Sequence, residues 1–262
     1  MKRMLLPVLL GGTLLSAIPG AHAQSEVTLI APGGIRSAIK QLIPGFEQNS
    51  GYKVNATFGS GGGTKQQVVR GEAFDLPIVQ PPYPDVIASG NVVESTATPL
   101  AAVAVGVAVK QGAPKPDIST PDAVKKLLLN AKSIAIPDAS LGAAAGVTIN
   151  NILKNMGIDE QIEPKIKRPR GSGKGGAGGG NAAMALVATG EVEVGMTFLS
   201  EMTVPGIDKV GALPKEIAPR TSLVGFVSTH SKNPEAAKAL LKYLSSSEAA
   251  AVYKACGMEP AK

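Results

Sequence analysis

Two apolar periods alternate along this chain. Apolar runs at 27–30, 54–58, 76–79, 101–109, 133–136, 194–198 and 222–228 read as strands. Between them apolar residues recur every three or four positions. Ile35, Ile39, Leu42, Ile43 and Phe46 form the first helical stripe, and a glycine loop opens a short helix over 64–70. Thr120-Pro121 is a capping residue followed by proline at the first helical position, and Ala123, Val124, Leu127 and Leu128 follow as a buried stripe. Val147, Ile152, Leu153 and Met156 mark a helix that Gly157 ends; Ala182, Ala183, Leu186 and Val187 mark one that Gly190 closes. Asn233-Pro234 starts a helix with Ala237, Leu240, Leu241 and Leu244 inward, and a last one spans 248–255 with Gly257 as its stop. Alternation of strand and helix throughout predicts an α/β fold with largely parallel sheets.

The first residues break this pattern. Lys2 and Arg3 precede an almost wholly apolar run, 5–18, and Ala21-His22-Ala23 supplies small residues around a cleavage point. That order predicts a secretory signal peptide, 1–23, and a mature protein starting at Gln24 in the periplasm. The single cysteine, Cys256, allows no internal disulfide and reads as a packing residue. The formal charge is +6, or +4 once Lys2 and Arg3 go with the acid-free segment 1–23. With no Trp, 3% aromatics and scattered Lys and Arg, the chain is not expected to bind nucleic acid. It is not expected to be membrane-embedded, to need a cofactor, or to be other than a monomer.

Three glycine-bearing loops stand where strands turn into helices: Gly33-Gly34, Gly59-Ser60-Gly61-Gly62 and 138–143. Ligands of α/β folds sit beyond the carboxyl ends of strands. There glycines admit backbone N–H groups to close range, and a helix N-terminus adds partial positive charge. Neutral donors pointing inward suit a small anion that must be held and released. Ser60 and the stretch 140–146 are the donors this reading favours. Arg36 can fork onto an oxyanion or pair with a surface acid, and Glu201 can line the cleft or stand as a solvated edge charge. The stretch 165–180 carries Lys165, Lys167, Arg168, Arg170 and Lys174 among glycines. Its G-x-G-x-x-G string at 171–176 follows Pro169 and a basic run rather than a strand, and no helix is expected before Asn181, so it reads as a basic surface loop or a lid rather than a dinucleotide site.

Ordered pieces of the chain carry a family resemblance. They are Val27-Thr28-Leu29-Ile30-Ala31, Gly33-Gly34-Ile35-Arg36-Ser37-Ala38, Phe46-Glu47, Gly51, Phe58-Gly59-Ser60-Gly61-Gly62 and Gly71-Glu72-Ala73-Phe74-Asp75. Later come Val187-Ala188-Thr189-Gly190-Glu191, Gly195, Leu199-Ser200-Glu201, Leu213-Pro214 and Gly257-Met258-Glu259-Pro260. In their order and spacing they resemble the type II periplasmic binding proteins, in the branch with the molybdate binders. The resemblance implies two lobes, 24–102 plus 221–262 and 103–220, each a largely parallel sheet flanked by helices, with hinges near 101–109 and 222–228. It implies a ligand between the lobes, delivered to an ABC permease. The expected ligand residues are Gly33, Gly34, Arg36, Ser37, Gly59, Ser60, Gly61, Ser140, Ala143, Ala145, Gly146 and Glu201. Two departures, a missing serine near Gly33-Gly34 and Phe198 where a pocket tyrosine belongs, leave a small organic acid open beside a molybdate-like oxyanion.

Catalysis is not expected. The mature chain keeps one histidine, His230, in a turn; it has no nucleophile elbow and no His/Cys cluster for zinc. The expectation is therefore a carrier and not an enzyme, with no catalytic and no metal residues. A ligand-presenting periplasmic sensor or scaffold, and more remotely a secreted hydrolase, are the alternatives.

Overall fold

The computed structural model describes residues 26–171 and 179–261. Residues 1–23, expected to be a signal peptide, and most of the glycine string at 171–176 lie outside them. The strands are β1 (Glu26–Pro32), β2 (Lys53–Gly59), β3 (Leu76–Val79), β4 (Val92–Val103), β5 (Val105–Lys110), β6 (Ile134–Ala135), β7 (Ile166–Lys167), β8 (Val194–Phe198), β9 (Ile207–Ala212), β10 (Thr221–Ser228) and β11 (Met258–Pro260). The helices are α1 (Arg36–Ser50), α2 (Gly61–Val69), α3 (Pro84–Ala88), α4 (Pro121–Asn130), α5 (Ala144–Asn155), α6 (Asp159–Ile162), α7 (Gly179–Thr189), α8 (Pro234–Leu244) and α9 (Ser247–Ala255).

The strands form two sheets, ordered β11-β4-β10-β3-β1-β2 and β7-β6-β8-β5-β9. The α/β architecture with flanking helices is the one expected. The sheets, however, are mixed rather than largely parallel. β1 pairs in parallel with β2 and β3, and β6 with β7 and β8. β10 runs antiparallel to β3 and β4, β11 to β4, and β5 to β8 and β9. The reason is connectivity. β4 leads straight into β5 through Ala104, and the chain returns from β9 to β10 through residues 213–220. β4 runs toward the second sheet as β1 to β3 do, and β10 comes back from it, so β10 lies antiparallel to β3 and β4, between which it sits; β5 likewise enters the second sheet against the direction of β8.

Each helix buries one stripe. Ala38, Ile39, Leu42 and Phe46 of α1 are buried, and Gly51 at φ 76° stops the helix. Thr120 accepts a hydrogen bond from Ala123 N at 3.1 Å and caps α4. Leu29, Leu76 and Leu240 fill the core of the first sheet; Val107, Ile134, Ile149 and Met196 that of the second. Full burial of such side chains contributes about 1.5–3 kcal/mol each. The parallel strands β1, β2 and β3 point their carboxyl ends, and hence Pro32, Gly59 and Gln80, at the second sheet. There β6 and β8 end facing them, leading into 137–143 and 199–201.

No helix among the described residues is long and apolar enough to cross a membrane, and no group of three or more His, Cys, Asp or Glu there could hold a metal ion.

Candidate functional site

Between the facing strand ends lies a small cavity of about 20 Å³. It is lined by Pro32, Gly33, Gly34, Gly59, Ser60, Gly61, Ala143, Ala144, Ala145, Gly179, Gly180 and Glu201. Such a volume admits about one water-sized group. Four helices begin on it. Gly33 and Gly34 open the 3-10 turn that runs into α1, Ser60 caps α2, Ala143 precedes α5, and Gly179 starts α7. The first turn of a helix has N–H groups without intrahelical partners. Neither Pro32 nor Ala143 supplies a side-chain cap. The cavity is therefore walled by main chain carrying the positive ends of several helix dipoles, an arrangement that favours negative charge.

Ser60 is buried and its oxygen accepts from Gly63 N at 3.0 Å. Its hydroxyl proton is left to donate elsewhere. Two buried polar groups stand behind the same loop: the Thr64 hydroxyl and the Gln80 amide nitrogen, neither with a hydrogen-bond partner. The two sides meet across the cleft, where Ser200 Oγ donates to Gly34 O at 2.7 Å and Gly62 N to Gly142 O at 3.4 Å.

Glu201 reaches this wall from the single turn after β8. Burial raises its carboxyl above the ordinary carboxylate range; the hydrogen bond from Thr197 and the charge of Arg36 pull it down without cancelling that rise. Thr197 Oγ1 donates to Glu201 Oε2 at 2.6 Å. A side chain at Gly180 would collide with that carboxylate, so the start of α7 and the carboxyl occupy adjoining space only because position 180 is glycine.

Gly33 and Glu201 also border a second, larger space of about 210 Å³, completed by Arg36, Ser37, Lys40, Asn181, Ser200 and Thr203. The Arg36 guanidinium lies over the Phe58 ring, 5.3 Å from its centroid.

Of the anticipated residues, Gly33, Gly34, Gly59, Ser60, Gly61, Ala143, Ala145 and Glu201 come together on the small cavity, and Arg36 and Ser37 on its neighbour. Ser140 is exposed and its hydroxyl donates to Asp138 Oδ1 at 2.6 Å, away from both. Gly146 packs instead against the Pro137 carbonyl, where a Cβ would not fit. Tyr83 packs edge-on against Phe226, and the cis peptide lies between Pro81 and Pro82 beside it.

Gly179 and Gly180 were not anticipated, because the helix starts two residues before Asn181, inside the glycine run. Lys40, Asn181 and Thr203 had no local signal. The placement of Gln80 as the one polar residue at the carboxyl end of the buried strand β3 could have marked it.

A family model described as bacterial extracellular solute-binding protein matches residues 27–259. A Pseudomonas sp protein named aconitate isomerase is 36% identical over 266 residues, covering 97% of each chain. The molybdate-binding protein ModA of Azotobacter vinelandii is 28% identical over 261 residues, covering 96% of each. The solved periplasmic molybdate-binding protein of Azotobacter vinelandii superposes with a TM-score of 0.71 at 16% identity, over 90% of this chain and 100% of that one. The expectation of a solute-binding protein agrees with the family model, but the Pseudomonas relative, named for an enzyme, overturns the expectation that the chain is not an enzyme. The argument behind that expectation removed nucleophilic and zinc-dependent hydrolysis, which need groups this chain lacks. It did not remove chemistry that needs only a carboxyl of raised basicity.

Proposed function

We propose that this chain, which belongs to the bacterial extracellular solute-binding protein family, binds a small organic polycarboxylate of the aconitate class between its lobes and isomerises it. The observation that carries the reading is a single one: a carboxyl of raised basicity, Glu201, borders an anion hole built from helix N-termini. The full-length relative named for an aconitate isomerase supports the choice of substrate class.

The chemistry follows from that pairing. Glu201 as carboxylate takes a proton from the methylene carbon next to the double bond. The electron pair spreads over the allyl unit and onto an attached carboxylate, whose oxygens gain charge. Helix N–H groups at Gly33-Gly34, Ser60-Gly61 and Ala144-Ala145 stabilise that charge. Glu201 then returns the proton to the other end of the allyl unit, the double bond shifts, and the enzyme is restored. A carboxyl whose pKa is raised toward working pH is the better base for this task.

In this reading 24–102 with 221–262 and 103–220 are the two lobes. They part by bending at Ala104 and at 213–220 to admit solute, because the small cavity admits only a water-sized group. Ser140 and Gly146 act indirectly, by shaping the turn before α5. The leader 1–23 directs export, and N-terminal sequencing of periplasmic protein should begin at Gln24.

The test is proton NMR of the purified protein with trans-aconitate in D2O. The cis isomer should appear, carrying deuterium at its methylene wherever the Glu201 proton exchanges with solvent before it is returned. Glu201→Gln should keep binding and abolish both; unchanged turnover in that variant refutes the mechanism.

A second reading is capture of a compact oxyanion for an ABC importer. The water-sized cavity with its four helix starts favours it, and so does the relative named for molybdate binding. Thermal stabilisation by molybdate with no response to any polycarboxylate would select it.

A further inference from the structure

The space beside the anion hole has its own chemistry. Arg36 and Lys40 stand four residues apart on α1 and both line it. Like charges at that spacing repel. They also occupy the first turns of a helix, where the macrodipole favours anions and opposes cations. Among the described residues no carboxylate comes within 4 Å of a nitrogen of either. The Arg36 Nε atom is buried without a hydrogen-bond partner, and the guanidinium carbon lies over the Phe58 ring, 5.3 Å from its centroid. Two cations and an unpaired buried donor at the wrong end of a helix are unfavourable by themselves. An anion between them relieves all three costs at once. Asn181 and Thr203, across the same space, add neutral polar groups.

We infer that Arg36 and Lys40 form a second anion subsite, which takes a distal carboxylate of the solute while the helix N-termini take another, with Glu201 between the two. This rests on the proposed polycarboxylate reading and deepens it: the protein selects acids with at least two carboxylates on a short carbon chain. The Arg36 fork matches a carboxylate with two parallel hydrogen bonds. Lys40, exposed at the mouth, contributes a point charge. Glu201, which borders both spaces, then faces the carbons that join the two carboxylates.

Calorimetry with two unreactive probes tests this on the purified protein. Propane-1,2,3-tricarboxylate carries the distal carboxylates; butyrate keeps a single one. Arg36→Gln should weaken the tricarboxylate by about tenfold or more and butyrate by less than about twofold. Lys40→Gln should do the same to a smaller extent, and Arg36→Lys should recover part of the affinity. Lys40→Gln, a change at an exposed position, keeps the test decisive if the Arg36 variants fail to fold. Equal weakening of both probes, or no weakening of the tricarboxylate, overturns the second subsite while leaving polycarboxylate binding intact. No binding of the tricarboxylate by the unaltered protein overturns the underlying reading, and the subsite with it.

Discussion

The Thr197 hydroxyl, fully buried on β8, donates a 2.6 Å hydrogen bond to Glu201 Oε2 just beyond the strand's end. It favours the charged carboxylate, while burial favours the neutral acid and wins. Thr197→Val removes the larger of the two opposing influences and leaves only the charge of Arg36. The Glu201 pKa should rise further, moving the acid limb of the turnover profile to higher pH. A profile that does not move would show that Glu201 is not the titrating base.

Glu201 also makes a claim on stability. Its folded pKa lies above its unfolded value of about 4.3. Between those two values the folded state binds more protons than the unfolded, so stability declines as pH rises through that window. Glu201→Gln keeps the shape and removes the titration. Melting curves from pH 4 to pH 8 should show the variant gaining on the unaltered protein toward the alkaline end.

Gly180→Ala should leave the fold standing and damage the site. The new methyl would be driven into Glu201 Oε2 and to 2.6 Å from Thr197 Oγ1, so the carboxyl must swing away. Displacing a reacting group by about 1 Å can cost about a hundredfold in rate. Kinetics beside circular dichroism separate this from unfolding.

Ser60→Ala has two separable consequences. Loss of the cap on α2, seen as the bond from Gly63 N, costs about 1 kcal/mol, a drop of about 2–4 °C in Tm for a chain of this size. Loss of the donor in the cavity should weaken anion binding by about tenfold. A Tm shift with unchanged affinity would place the Ser60 proton outside the binding interaction.

Far from the cleft, buried Asp75 joins the start of β1 to the turn before α8. Its Oδ2 accepts from Thr28 N and Oγ1, and its Oδ1 from Ser231 Oγ, Lys232 N and Asn233 N. Burial alone would raise its pKa, but these hydrogen bonds outweigh burial and lower it. Its contribution is therefore complete above the unfolded value of about 3.9 and disappears as pH falls through the depressed folded value. Asp75→Ala should cost about 3 kcal/mol or more at neutral pH by urea melts, and far less near pH 2.

The strands buried on both faces were legible because nothing but a core explains a run such as Leu76–Val79. The first half of β4, and β9 at a sheet edge, were not. Their residues are half-exposed and polar, as in Glu94-Ser95-Thr96 and Asp208-Lys209, so no apolar period marks them. The same logic divides the site. Gly59, Ser60 and Gly61 could be picked out because four glycines and a serine exceed what a turn requires. Arg36, Lys40, Asn181 and Thr203 meet only when segments more than 140 residues apart in sequence are folded together, and no local pattern records that meeting. The exclusion of catalysis failed for a related reason: it searched for reactive residue types, whereas the basicity proposed to make Glu201 reactive is conferred by what surrounds it.

An anion hole made of peptide groups is inherited with the backbone trace and not with any particular side chain. Substitution can scarcely erase it without deforming the helices that supply it. Diversification of solute is thereby confined to the few positions of α1, α7 and the turn after β8 that project beside the hole. On the proposed reading, the same main-chain receptor serves an inorganic oxyanion in one descendant and a branched organic acid in another.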